Sequence, residues 1–374
     1  MIRNINFQSS MIRKMTVLAE KYNAINLAQG FPEHTKTEII NMAVRSIRDD
    51  HNQYTVTDGL PILRKRIAEK LKVERGIDIS YENLIITCGA SEAIMAAVIG
   101  NVSSNANVVI IEPVYENYIP AVKLVNANIK TVALTDNILD LNELNNNFSI
   151  GSFLILNTPH NPTGKVFSYD ELSNIAEIVN EREGYVIVDE TYEHLVYSKK
   201  HYSIVSFDGM LERTITVGSF SKTYSITGWR LGYVYGKDKL MHNVRNVHDY
   251  LTICAPAPFQ YAALEMLDLP EKYYKDFIES YRIRRDFISK EIKSLGFTFN
   301  IPDGAYYIFA ELPEKIKLND MEFCMDLVKN AGVAIVPGSS FYNFDGGNRF
   351  VRFSFSKEID SLKKAMQRLK EYLK

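Results

Sequence analysis

The sequence predicts an α/β protein in two parts: a large domain built on a mostly parallel β-sheet, and a smaller α+β domain. Three observations carry that prediction. At 374 residues the chain exceeds the usual size of a single hydrophobic core. Short apolar runs alternate with amphipathic stretches through residues 45–270. Beyond that point the pattern changes to long charged helices between isolated strands.

The apolar runs are Leu84–Cys88, Val108–Glu112, Ile129–Leu134, Phe153–Leu156, Val186–Asp189, Thr214–Val217 and Leu231–Tyr235. Strands that read as near-continuous hydrophobic runs are buried on both faces, as in a parallel sheet covered by helices. Glu92–Ile99 and Tyr169–Glu181 have the amphipathic pattern of two such helices. Residues 45–272 are therefore assigned to the large domain. In the remainder, Glu271–Leu295 reads as a long charged helix. It is followed by Phe297–Phe299, Ala305–Glu311, a helix near Met321–Asn330, a strand Val333–Val336 and a closing helix near Glu358–Tyr372. Antiparallel strands with helices make an α+β domain over residues 273–374, which the N-terminal segment 1–44 is expected to join. A cleft between the two would lie at the carboxyl ends of the strands, where open α/β sheets bind ligands.

Composition excludes several classes. With 46% hydrophobic and 24% charged residues, the chain is ordinary globular protein. Tyr185–Val188 and Val108–Ile111 are far too short to cross a bilayer. A net charge of −2 gives nucleic acid no electrostatic purchase. Cys88, Cys254 and Cys324 are too few and too scattered for a disulfide framework or a metal site. A reducing compartment, the cytoplasm, is the simple reading. Met1–Ala19 is poor in acid and holds Arg3, Arg13 and Lys14, but lacks the apolar run of a secretory signal. An ordered N-terminal arm is expected there. Asn142–Asn147 reads as a polar helix and its end, without function.

Chemistry is suggested first by Ser219-Phe220-Ser221-Lys222, directly after the run Thr214–Val217. A lysine desolvated there would have a lowered pKa and a nucleophilic amine; a solvated surface lysine is the plain alternative. Arg230 follows eight residues on, in Thr227-Gly228-Trp229-Arg230. Its planar fork suits a phosphate dianion, or else it stacks on Trp229 at the surface. Asp189 ends an apolar strand, where a carboxylate must find a partner. A protonated ring nitrogen would serve, with Tyr192 placed to bond an oxygen of the same ring; a cap on a following helix would serve equally.

Asn157-Thr158-Pro159-His160-Asn161-Pro162-Thr163-Gly164 is a turn set between prolines, which would aim the Asn161 amide at the sheet's carboxyl edge. A rigid connecting loop is its alternative. Gly89-Ala90-Ser91-Glu92 lies between a strand and a helix, so its backbone N–H groups form an anion site unless Ser91 is only a helix cap. Tyr115 could stack a flat ring or fill a core. Arg352, inside the apolar run Phe350–Phe355, needs either a bound carboxylate or a structural ion pair.

Asn26-Leu27-Ala28-Gln29-Gly30-Phe31-Pro32, Asn52-Gln53-Tyr54, the Asn157–Gly164 turn, Asp189-Glu190-Thr191-Tyr192 and Ser219–Arg230 occur in that order. The ordered set resembles the class I, fold-type I pyridoxal-phosphate aminotransferases, and within them the kynurenine and methionine aminotransferase branch. The resemblance covers nearly the whole chain and implies a mixed seven-stranded large sheet. It implies pyridoxal 5′-phosphate held as a Schiff base on Lys222, with Asp189 on the pyridine nitrogen and Asn161 and Tyr192 on the phenolic oxygen. Tyr115 would stack on the ring. Ala90, Ser91, Ser219 and Arg230 would hold the phosphate, joined by Tyr54 of a second subunit in a homodimer. Gly30, Asn161 and Arg352 would receive the substrate α-carboxylate.

The activity implied is transamination between an L-amino acid and a 2-oxo acid. Aspartate-type members take the second carboxylate on an extra arginine supplied by the partner subunit, and the corresponding stretch His248-Asp249-Tyr250-Leu251-Thr252 contains none. Phe31, Tyr115, Tyr118 and Tyr250 suggest an aromatic pocket instead, so methionine, aromatic amino acids, kynurenine or glutamine are expected as donors over aspartate. A β-lyase acting on cystathionine or cysteine conjugates would use the same lysine. A non-catalytic ligand-sensing domain is a further alternative, although Met1–Leu27 is too short for the helix-turn-helix domain of such proteins.

Overall fold

The computed structural model describes residue 7 and residues 9–374. Of the expected N-terminal arm, the helix α1 (Met11–Lys21) is observed, while Arg3 lies outside the described residues. The strands, in chain order, are β1 (Ile25–Asn26), β2 (Leu84–Thr87), β3 (Asn107–Glu112), β4 (Asn128–Thr135), β5 (Ile138–Leu139), β6 (Phe153–Asn157) and β7 (Tyr185–Asp189). They continue with β8 (Thr214–Ser219), β9 (Gly232–Tyr235), β10 (Tyr307–Glu311), β11 (Val333–Ala334), β12 (Val336–Pro337) and β13 (Phe350–Ser354).

All seven apolar runs become strands of one sheet, in the order β2-β9-β8-β7-β6-β3-β4-β5. It has 8 strands rather than seven, because a two-residue antiparallel edge, β5, folds back on β4. Neighbours among β8, β7, β6, β3 and β4 are parallel, and β9 runs against both β8 and β2. The carboxyl ends of β2, β3, β6, β7 and β8 therefore share one edge, to which β9 contributes its beginning. Register is close there: Asn157 lies beside Asp189, and Asp189 beside Val217.

Helices cover both faces for reasons visible in their sequences. Tyr169–Glu181 begins with a capping box between Ser168 and Glu171 and buries Leu172, Ile175, Ala176 and Val179. Ala90–Asn101 is apolar nearly all round, and is buried between the sheet and the helix Asp238–Thr252. The helix Thr37–Arg48 buries Ile39, Met42 and Ala43 in the cluster that includes Ala262, Ala263 and Met266.

The second sheet has the order β10-β13-β12 and is antiparallel. The expected strand Val333–Val336 is divided between two partners: β11 pairs with β1, and β12 with β13. The run is apolar throughout because it is buried at both pairings, so its sequence hides the division. Phe297–Phe299 makes only a single bridge, Thr298 to Glu311. The helices expected near Glu271–Leu295, Met321–Asn330 and Glu358–Tyr372 appear as Glu271–Ser294, Asp320–Asn330 and Ile359–Tyr372.

α1 buries Ile12, Met15 and Ala19, spaced for one helical face, in a cluster with Leu327, Val336 and Leu369. Met15→Ala should cost about 2–5 kcal/mol in urea unfolding, because it leaves a cavity under α1. Val17→Ala, on the solvent face at 62% exposure, should stay within about 0.5 kcal/mol.

Candidate active site

The shared strand edge opens into a cavity of about 520 Å³, within the range of small-molecule sites. Gly30, Ala90, Ser91, Tyr115, Asn161, Asp189, Tyr192, Ser219, Lys222, Arg230 and Arg352 all line it. Of the residues expected at the site, Tyr54 and Tyr250 lie outside this cavity, at 78% and 92% exposure.

Asn161 is aimed by β6. The Asn157 carboxamide accepts from Asn161 N–H at 2.7 Å and donates to the Asp189 carbonyl at 2.9 Å, fastening the turn to β7. Asp189 accepts from Thr191 N–H at 3.0 Å and from the Tyr118 hydroxyl at 2.7 Å. The first bond closes a turn and not the helix of the capping alternative, and the second takes the other carboxylate oxygen. Burial pushes the Asp189 carboxyl above its ordinary range, partly offset by those bonds and by Lys222.

Lys222 stands in the single helical turn Phe220–Thr223, which Ser219 caps by accepting from Ser221 N–H. Its Nζ lies 3.4 Å from the Gly30 carbonyl and 5.8 Å from the centre of the Tyr192 ring. Burial, with Arg230 and Arg352 nearby, brings its pKa down to about 8, so freeing the amine near neutrality costs far less than for an ordinary lysine. The surface-lysine alternative is thereby set aside.

Arg230 donates to the Thr227 carbonyl at 2.9 Å and the Cys88 carbonyl at 3.3 Å. Trp229 stacks on Phe259 and not on Arg230. Gly89, at φ +80°, is the helix N-cap in place of Ser91, and a Cβ there would meet Arg230 Nη2 at 2.4 Å. The glycine lets the guanidinium close over the backbone N–H groups that begin the helix Ala90–Asn101, and this makes an anion site.

Arg352 is 1% exposed on the central strand of the small sheet. It donates to Asn161 Oδ1 at 2.8 Å and to the Ala28 carbonyl at 2.5 Å, and lies over the Tyr307 ring. Among the described residues it has no carboxylate partner, and its Nε has no hydrogen-bond partner. The structural ion pair is therefore not what is found, and a bound carboxylate would supply the missing acceptor. Gly30 is required opposite: a Cβ there would meet Tyr307 Oη at 1.9 Å.

Sequence reasoning missed several groups here. Tyr118 was placed only as a pocket aromatic, yet it bonds Asp189. Tyr307 bonds the Tyr192 hydroxyl at 2.9 Å, which is the neighbour the structure gives Tyr192. Arg13 also lines the cavity, a residue noted in the sequence only as a basic residue of the arm. Tyr250, in the stretch expected to face the second subunit's pocket, is 92% exposed in this protomer. Its helix buries Leu240, Met241, Val244 and His248, and residue 250 falls on the opposite face.

The family described as aminotransferase class I and II matches residues 22–369. The solved structure of N-succinyldiaminopimelate aminotransferase from Mycobacterium tuberculosis superposes with a TM-score of 0.94 at 37% identity, covering 98% of each chain. That of an Escherichia coli protein with methionine aminotransferase function gives 0.94 at 30%, covering 99% of this chain and 100% of the other. A probable aspartate aminotransferase of Methanocaldococcus jannaschii is 34% identical over 375 residues, 98% of this chain and 97% of its own. The chain belongs to the class I and II aminotransferases, has their fold, and is a pyridoxal-phosphate-dependent enzyme.

Pyridoxal 5′-phosphate brings a dianion, a ring nitrogen, a phenolic oxygen and an aldehyde. The anion site at Gly89–Arg230, the buried acid Asp189 and the Lys222 amine of lowered pKa match that donor set in one cavity.

A buried cation is costly where no ligand compensates it. In cofactor-free protein at pH 7, Lys222→Met should therefore raise the unfolding free energy by about 2 kcal/mol. Above about pH 8 the folded lysine sheds a proton that the unfolded chain keeps until the ordinary amine range. Wild-type stability then rises with pH across that window and the advantage of the variant shrinks. Urea titrations from pH 7 to 10 measure both effects.

Proposed function

We propose that the enzyme moves the amino group of an L-amino acid with a neutral side chain to a 2-oxo acid, with Lys222 as the residue that carries and serves the cofactor. Methionine, aromatic amino acids, kynurenine or glutamine are the favoured donors over aspartate. The observation that carries the reading is the pairing, in one cavity, of an amine with pKa near 8 and a buried arginine that lacks a counter-ion. Phe31 and Tyr115 on the cavity wall, and the absence of arginine from residues 248–252, support the donor preference.

The bound cofactor supplies an electron sink that makes the substrate Cα proton removable. Lys222 Nζ holds the cofactor at rest and, once released, takes that proton and redelivers it. Asp189 keeps a proton on the ring nitrogen, and Tyr118 and Thr191 hold its carboxylate in place. Asn161 and Tyr192 bond the phenolic oxygen, and Tyr115 stacks on the ring. Ala90, Ser91, Ser219 and Arg230 bind the phosphate. Arg352, with Asn161 and Gly30, fixes the α-carboxylate, which turns the scissile Cα bond into line with the ring.

The reading includes a homodimer in which Tyr54 reaches the phosphate of the second copy. Tyr54, Val56, Tyr250, Leu251 and Ile253 are all exposed, as such a face requires before it is covered. It also includes a division near residues 45 and 272, with β1 and α1 of the N-terminal segment joining the C-terminal part and the helix Thr37–Arg48 packed on the large domain. Three free cysteines suit the cytoplasm as its location.

Steady-state kinetics over a donor panel test the proposal, beside Lys222→Ala. Methionine, phenylalanine, kynurenine or glutamine should exceed aspartate in kcat/KM, and Lys222→Ala should lose activity by about a thousandfold or more. A clear preference for aspartate would remove the donor assignment. Release of pyruvate and thiol from a cysteine conjugate, with no oxo acid needed, would make the protein a β-lyase.

A further inference from the structure

We propose that Arg13 binds the distal carboxylate of a dicarboxylic 2-oxo acid, and so selects the amino-group acceptor; this rests on the transamination reading above. The argument begins with charge. The cavity is lined by four cationic side chains, Arg13, Lys222, Arg230 and Arg352. The cofactor occupies Lys222 and provides one phosphate for Arg230, and an amino acid or oxo acid provides one α-carboxylate for Arg352. Arg13 is left over unless the substrate carries a second anion.

Its placement is built by the start of α1. Ser10 caps the helix by accepting from Arg13 N–H at 3.2 Å, and its hydroxyl donates to the Glu116 carboxylate beyond β3. Ile12 is buried beneath, so residue 13 is carried on a fixed turn at the edge of the cavity. The guanidinium itself is exposed and makes no hydrogen bond or ion pair among the described residues, Glu116 included. Glu116 lines the same cavity, and its carboxylate is already bonded by Ser10.

The exposure of Arg13 explains how a single site can serve two substrates in turn. A neutral donor leaves the guanidinium hydrated at no burial cost, whereas a distal carboxylate gains a charge-assisted, bidentate partner. Arg352 is fully buried and Arg13 lies at the solvent side, so an acceptor with its second carboxylate at the far end of the chain is favoured. A long dicarboxylic oxo acid is therefore the expected class. 2-Oxoglutarate serves as the probe, with pyruvate as its monocarboxylic control.

The holoenzyme, loaded with amino groups from methionine, is assayed with both acceptors. The wild type should prefer 2-oxoglutarate, and Arg13→Ala should lower its kcat/KM ratio to pyruvate by about tenfold to a hundredfold. Arg13→Lys should restore part of the ratio, and Glu116→Gln should raise it by removing a like charge. Glutarate and butyrate binding, by titration calorimetry, should show the same change in affinity ratio without turnover. A ratio that does not move, a wild type indifferent to the second carboxylate, or equal losses for both acceptors would overturn the assignment. If no acceptor is turned over, the transamination reading fails, while the glutarate-to-butyrate ratio still decides the role of Arg13.

Discussion

The bond from Arg352 to Asn161 is the interaction on which the site depends. Arg352 belongs to the middle strand of the small sheet, and Asn161 to the turn after β6 of the large one. The same guanidinium holds the Ala28 carbonyl of the N-terminal segment. Three distant parts of the chain are thus joined by a buried cation that has no carboxylate of its own among the described residues. Such a group is expensive to bury, and amide and carbonyl oxygens compensate it only in part. Stability alone would favour a neutral side chain, and the Nε of Arg352 is left without a hydrogen-bond partner.

Around that link, electrostatics divide the cavity into separate tasks. Desolvation acts in opposite directions on the two central groups: it raises the Asp189 carboxyl and lowers the Lys222 amine. Each keeps the form its task requires because its neighbours differ. Asp189 has two hydrogen-bond donors that favour the carboxylate, whereas Lys222 has two arginines that disfavour the ammonium. A ring nitrogen and an aldehyde placed between them would find a hydrogen-bonded acid at one end and an amine of lowered pKa at the other.

Much of this was legible in the sequence, where motif and strand end coincide. The seven strands of the large sheet could be read because burial on both faces leaves an unbroken apolar run, and the catalytic candidates follow directly after those runs. What could not be read depends on pairings between distant segments. The division of residues 333–336 between two sheets has no local signal, since both halves are apolar. Tyr118 could be any buried aromatic until Asp189 is placed beside it. The exposure of Tyr250 follows from helix phase, with Val244 and His248 on the buried face of the same helix. Arg13 could have drawn notice as a basic residue one position after a buried apolar one at a helix start, but only the fold brings it to the cavity.

The segment Asp189–Glu193 shows how one acid of three is reserved for the site. Asp189, Glu190 and Glu193 are all buried within five residues of chain, and like charges so close would repel. Arg75, at the end of the helix Pro61–Arg75, takes Glu190 at 3.2 Å and also pairs with Glu193, while the Tyr233 hydroxyl donates to Glu193 at 2.8 Å. Arg75 and Glu193 line a pocket separate from that of Lys222, and these contacts hold the Glu193 carboxyl below its ordinary range against desolvation. Neutralising the two glutamates does more than stabilise the turn. It leaves Asp189 as the acid of the three that lines the cavity.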